Sequence, residues 1–164
     1  MSSLSPLPSG RTISLQEKPN TLFAPQYAQE FNPIYTASKA GVLGFMRSVA
    51  PQYHREGIRT CAVCPGTART NLFASDAYAS FPDEYMTPVE TIVSAVRALV
   101  AGGPLRDSRG REVAAGQDYG LAVEVFGRET FFRDQMEFIN EGMRVICEAA
   151  SLKNQLGNLV EGKL

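Results

Sequence analysis

The clearest periodicity in the chain begins at Asn32-Pro33. Ile34, Ala37, Ser38, Gly41, Val42, Phe45 and Val49 recur at steps of three and four, which predicts an amphipathic helix running to about His54. Asn32 can accept from the free backbone N–H groups of the first turn, and Pro33 fits there because its missing N–H is not needed. Pro51 is expected to kink or shorten the last turn. Gly57 breaks the pattern, and the β-rich run Ile58 to Cys64, stopped by Pro65-Gly66, predicts a buried strand. Thr87-Pro88-Val89-Glu90 reads as a capping box with Pro at the first helical position. Ile92, Val93, Val96, Leu99 and Val100 form the stripe of that helix, and Gly102-Gly103-Pro104 ends it. A second strand is predicted between Gly120 and Gly127. Phe132, Met136, Ile139, Met143, Ile146 and Ala150 suggest a last helix over about 129–151.

The stretches between are less regular. Residues 1–33 hold five of the ten prolines and read as extended loop, with Thr12 to Leu15 as the one strand candidate. Residues 67–86 are loop-like and aromatic, with Phe73, Tyr78, Phe81 and Tyr85, and Arg106, Asp107, Arg109 and Arg111 mark a charged, solvated loop. Helices alternating with strands signal a parallel α/β layer. Two firm strands are few for a sheet covered on both faces, so the chain reads as part of such a domain. The expected organisation is an irregular segment over 1–32, the α/β part over 33–151 and a tail over 152–164.

Composition narrows the partners. With 164 residues, 44% of them hydrophobic and 20% charged, the chain matches one soluble domain. Sixteen basic against seventeen acidic residues leave a formal charge of −1, so no electrostatic footprint for nucleic acid exists. No apolar run approaches the ~18 residues of a membrane span. Met1 to Pro8 lacks the pattern of a secretory signal. Three cysteines make no disulfide framework, and a cytoplasmic setting is expected.

Chemistry concentrates at Tyr35 and Lys39, four residues apart and hence on one helix face. A phenol is a poor acid–base group near neutrality because its reference pKa is about 10. A cation at ~4 Å and an effective dielectric of ~20 favours phenolate by about 4 kcal/mol, roughly 3 pKa units. Such a couple can exchange a proton with an alcohol or carbonyl oxygen. Six Tyr and four Lys yield this spacing by chance about 0.15 times. Context adds to it: the pair opens a capped helix among the small residues Ala37, Ser38, Ala40 and Gly41, and a strand ending in Pro65-Gly66 follows.

Tyr35 to Gly41, Gly57 to Arg59, and Cys64 to Thr70 (Cys-Pro-Gly-Thr-Ala-Arg-Thr) together resemble the second half of a short-chain dehydrogenase/reductase, nearest the hydroxyprostaglandin-dehydrogenase-like subgroup. The resemblance runs from about residue 23 to 127. It implies a partial Rossmann-like, doubly wound parallel sheet and an oxidoreductase that uses NAD or NADP on a small alcohol or ketone substrate, with secondary metabolism as a setting. It further implies that Tyr35 is the catalytic acid/base. Lys39 would lower the Tyr35 pKa and hold the nicotinamide ribose. Pro65, Gly66, Ala68 and Thr70 would line the nicotinamide end, and residues 71–86 would form a substrate lid or ordinary packing. The helix at 33–54 resembles the family's oligomer surface, so a homo-oligomer or association with another chain is expected.

Two features depart from the family pattern. The glycine-rich turn that lets backbone approach a pyrophosphate does not occur: Gly116 to Gly120 has a related spacing but leads into a strand. The family's catalytic serine lies thirteen residues before the tyrosine, at Leu22 here, beside Thr21. Ser14 could serve if a loop of about eight residues has been inserted. Three readings therefore stand: an enzyme, a non-catalytic remnant acting through a partner, or a gene model that omits upstream exons. Cys61 and Cys64 mimic a redox or zinc pair, yet on a strand they face opposite sides and read as buried thiols; no metal site is expected. His54, the one histidine, reads as an exposed helix-end residue.

Overall fold

The computed structural model describes residues 12–16, 27, 30, 32–71, 78, 79 and 81–160. Strand β2 (Arg59–Pro65) sets the layering through its alternation, because successive side chains leave a strand on opposite faces. Cys61 and Val63 enter one apolar cluster, while Ala62 and Cys64 enter another. Helix α1 (Pro33–Arg55) adds Leu43 and Met46 to the second cluster. Helix α2 (Val89–Ala101) adds Ile92, Ala95 and Leu99 to the first. Helices thus cover both faces of a sheet, the Rossmann-like α/β arrangement that alternating helices and strands predict.

Strand β1 (Thr12–Gln16) lies parallel to β2 on one side, and β5 (Leu121–Phe126) lies parallel to it on the other. β6 (Glu129–Arg133) returns antiparallel to β5, so the order is β1-β2-β5-β6. The predicted helix at 33–54, the strands at 58–64 and 120–127 and the candidate strand at Thr12 to Leu15 are all present, with ends shifted by a residue or two. Between α2 and β5 the charged stretch folds into a small antiparallel ribbon, β3 (Leu105–Arg106) with β4 (Glu112–Val113). Its arginines are exposed, but Asp107 is buried at its turn.

Three expectations are corrected. The helix expected over 129–151 is a strand at its start, because Gly127-Arg128 closes a two-residue hairpin, with Gly127 at φ 57°, and Phe132 turns into the core. Thr87 does not cap α2: the helix begins after Pro88, and the Thr87 hydroxyl instead accepts from the Gly127 N–H at 3.1 Å. His54 is half-buried rather than exposed, stacked on Tyr119 with ring centres 4.1 Å apart.

The chain divides into two compact units, residues 1–133 and 134–164. The second contains α3 (Glu141–Ala149), capped by the Asn140 side chain accepting from the Met143 N–H at 2.9 Å, and α4 (Leu152–Val160). Among the described residues no helix is long and apolar enough to cross a membrane.

Candidate active site

Asn32 fixes the head of α1. Its side chain accepts from the Tyr35 N–H at 3.3 Å, and its carbonyl accepts from the Thr36 N–H at 3.1 Å. One helical turn then separates Tyr35 from Lys39, and the Lys39 Nζ lies 5.4 Å from the centre of the Tyr35 ring. Both side chains are half-buried. Phenol and ammonium therefore meet on one face of the helix, as their spacing requires. Leu43 and Met46 pack against Ala62 and Cys64, whereas Ala50 sits against Gly120, just ahead of β5. The helix accordingly points its N-terminal end toward the C-terminal ends of β2 and β5. That is the end where ligands bind in open α/β sheets.

Pro65 and Gly66 stand at the same end. The Gly66 N–H donates to the Val125 carbonyl at 2.7 Å. A Cβ at Gly66 would come within 2.9 Å of the Thr87 Oγ1 and 3.1 Å of Phe126, so close packing against the neighbouring strand demands glycine there. Ala68 is buried in the cluster on the α2 side. Thr70 is held by Tyr78, whose hydroxyl accepts from the Thr70 N–H and donates to its carbonyl, each at 3.3 Å. Tyr78 is itself buried, and Arg69 pairs with Asp83. Within the expected lid, then, Tyr78 packs inward while Tyr85 is exposed and stacked on Phe126 at 6.4 Å; Phe73 lies outside the described residues.

Ser14 is not brought to this end. It pairs with Cys61, and Gly66 lies five residues further along β2, about 16 Å at 3.3 Å per residue. Thr21 and Leu22 lie outside the described residues. Cys61 and Cys64 are buried on opposite faces. Burial, reinforced by the Asp118 carboxylate, pushes the Cys61 thiol up to about 12, which makes it inert near neutral pH. A cavity of about 260 Å³ lies on the other side of the sheet, between α2, β5 and β6, and none of the predicted site residues lines it.

Sequence reasoning names Tyr78 in the aromatic loop and Thr87 as a helix cap but misses the hydrogen bonds they make here, and it misses the Glu124–Arg133 ion pair across the β5–β6 hairpin. Glu124 had a readable signal, a carboxylate in the middle of the otherwise apolar run Leu121 to Phe126. The partners of Tyr78 and Thr87 had none, since spacing along a loop does not say which backbone groups its side chains will meet.

Residues 23–79 match the family model for short chain dehydrogenase. The short-chain dehydrogenase/reductase prx7 of Penicillium rubens is 43% identical over 141 residues, which are 83% of this chain and 50% of that protein. The oxidoreductase UcpA of Salmonella typhimurium is 35% identical over 71 residues, 43% of this chain and 27% of that one. The short chain dehydrogenase adrF of Penicillium roqueforti is 54% identical over 43 residues, 26% and 17% respectively. The chain thus belongs to the short-chain dehydrogenase/reductase family, and it spans half the length of prx7 and less of the other two. Members of this family generally use NAD(P) and act on small molecules.

Proposed function

We propose that the chain carries the acid–base part of an NAD(P)-linked oxidoreductase site that interconverts an alcohol and a carbonyl on a small or medium apolar metabolite. The observation that carries this reading is the Lys39 ammonium 5.4 Å from the Tyr35 ring centre on a capped helix. A cation beside a phenol favours phenolate, and a phenol so tuned can hold or release the proton of a substrate oxygen. Tyr35 is the proton donor and acceptor in this scheme. Lys39 tunes it and is placed to hold ribose hydroxyls.

The residues present fit one end of a dinucleotide. Pro65, Gly66, Ala68 and Thr70 form a loop at the same end of β2 as Tyr35 and are assigned the nicotinamide side, where the cofactor would supply or take up hydride. Helices α1 and α2 begin at Asn32-Pro33 and Pro88-Val89, without the glycine-rich turn that suits a pyrophosphate, so that contact is not assigned among the described residues. Ser14 is left out of the acid–base couple because of its register with Cys61.

Titration of the chain with NADH and NADPH, followed by nucleotide fluorescence, tests the reading. Micromolar binding that Lys39→Met weakens is expected, and Tyr35→Phe should keep binding while lowering turnover of apolar secondary alcohols about a hundred- to ten-thousand-fold. No binding at millimolar nucleotide would leave the second reading, a non-catalytic member that works by association. Ile34 and Phe45, 83% and 60% exposed on α1, favour that alternative.

A further inference from the structure

Glu124 is an odd residue for its place. Ala122, Val123 and Val125 around it are at most 3% exposed, and Glu124 is 8% exposed on the sheet face that carries α1. A carboxylate there is costly unless it is paired and hydrogen-bonded. It is paired: both Nε and Nη2 of Arg133, across the β5–β6 hairpin, reach its Oε2. The same guanidinium donates from Nη2 to the Tyr27 hydroxyl at 2.6 Å and lies 6.0 Å from the Tyr27 ring centre. The backbone carbonyl of Arg133 in turn accepts from the Arg47 Nη2 on α1 at 2.8 Å. One network therefore ties together β5, β6, the body of α1, and the chain eight residues ahead of Tyr35.

Stability alone does not explain the arrangement. Buried ion pairs are commonly no better than well-packed apolar residues of similar size, and a valine at position 124 would complete an apolar strand. What an apolar pair could not do is grip a hydroxyl on a neighbouring segment in one fixed direction. We propose that Glu124 and Arg133 are positioning residues: they hold the Tyr27 hydroxyl against the β5–β6 hairpin and so set the approach of the chain to the Asn32 cap and the head of α1, where Tyr35 stands. The functional consequence rests on the acid–base reading of Tyr35; the anchoring itself does not.

The test is site-resolved amide hydrogen exchange on the intact chain, with Tyr27→Phe as the main variant. It deletes one hydroxyl from a side chain 45% exposed and leaves the Glu124–Arg133 pair in place. The expected result is about tenfold faster exchange at Tyr35 and Thr36, with the amides of β5 and β6 unchanged. Arg133→Lys, which keeps a charge for Glu124 but loses the fork, should reproduce the local effect. Unchanged exchange at Tyr35 and Thr36 in Tyr27→Phe would overturn the proposal, as would acceleration spread evenly over the whole sheet. Turnover separates the two readings: with both correct, Tyr27→Phe lowers kcat several-fold at constant KM. Altered exchange in a chain that binds no nucleotide sustains the anchoring and sinks the acid–base reading.

Discussion

The two faces of the sheet are built from alternate residues of the same strands, yet they do different work. The face under α2 has an apolar centre, where Cys61, Val63, Val123 and Val125 meet Ile92, Ala95 and Leu99, with the buried Asp107 and Asp118 carboxylates at its margins. The face under α1 is lined by the small residues Ala62, Cys64 and Ala122, filled by Leu43 and Met46, and interrupted by the charged Glu124–Arg133 pair. Small side chains let α1 lie near the strands, and the Tyr35–Lys39 pair stands at the end of α1 that approaches the C-terminal ends of β2 and β5. One face holds the fold, and the other carries the candidate chemistry. Variants on the first should move stability, and variants on the second should move function at little structural cost.

The largest separation is expected between Arg59 and Lys39. Arg59 donates to the Asp118 carboxylate at 2.5 Å and to the carbonyls of Leu99 and Val100 at 3.1 and 3.3 Å, so one guanidinium joins β2, the end of α2 and the approach to β5. Asp118 is 1% exposed. Arg59→Ala strands that carboxylate without its cation and should destabilise the chain by about 3–5 kcal/mol. Lys39→Met, on a half-buried helix face, should stay within about 0.5 kcal/mol. Urea midpoints followed by circular dichroism measure both. Equal losses in the two variants would erase the distinction between the faces.

Asp107 sharpens the α2 side further. Its Oδ1 accepts from the N–H groups of Arg109 and Arg111 at 3.0 and 2.9 Å, and its Oδ2 accepts from the Phe132 N–H at 3.1 Å. Burial works against the charge, but these N–H groups and the nearby Arg111 outweigh it and hold the carboxyl below its ordinary value. A carboxyl depressed in the folded state stabilises above its unfolded pKa of about 3.9, and that contribution is lost as pH falls through the folded value. Asp107→Asn should therefore cost about 1–3 kcal/mol at neutral pH, because one N–H loses its acceptor. The gap from the parent chain should narrow once the pH drops below about 4. Urea midpoints at neutral and acidic pH decide it, and a gap constant with pH would show that the carboxylate charge plays no part.

Much of this was legible in the chain, for a physical reason that also marks the limit. The helix at 33–54, the strands at 58–64 and 120–127 and the Tyr35–Lys39 pair depend on local periodicity, and local geometry alone brings residues four apart together on a helix. Phe132, Met136 and Ile139 show the opposite case. Their spacing imitates a helix, but Phe132 belongs to a strand, and Met136 and Ile139 lie in an exposed segment before α3. The hairpin at Gly127-Arg128 outweighed the apolar spacing. Arg59–Asp118, Thr87–Gly127 and Arg133–Tyr27 are 59, 40 and 106 residues apart, and periodicity says nothing about such pairs.

Thr87 offers the finest test because it ties the β5–β6 turn to the Gly66 loop. Its N–H donates to the Thr67 carbonyl at 2.6 Å, and its hydroxyl accepts from Gly127 at the β5–β6 turn. The same oxygen is the atom that a Cβ at Gly66 would approach most closely. Thr87→Val keeps the shape and removes the acceptor, so the Gly127 N–H loses its partner while the backbone bond to Thr67 survives. The expected loss is about 1 kcal/mol, the net value of one such hydrogen bond. Thr87→Ser keeps the hydroxyl and should restore most of it. Because the residue touches the Gly66 loop directly, the variant should weaken nicotinamide-nucleotide binding more than its stability loss suggests. An effect on stability without any on binding would place Thr87 wholly with the α2 face, and would detach the loop over 66–70 from the candidate site.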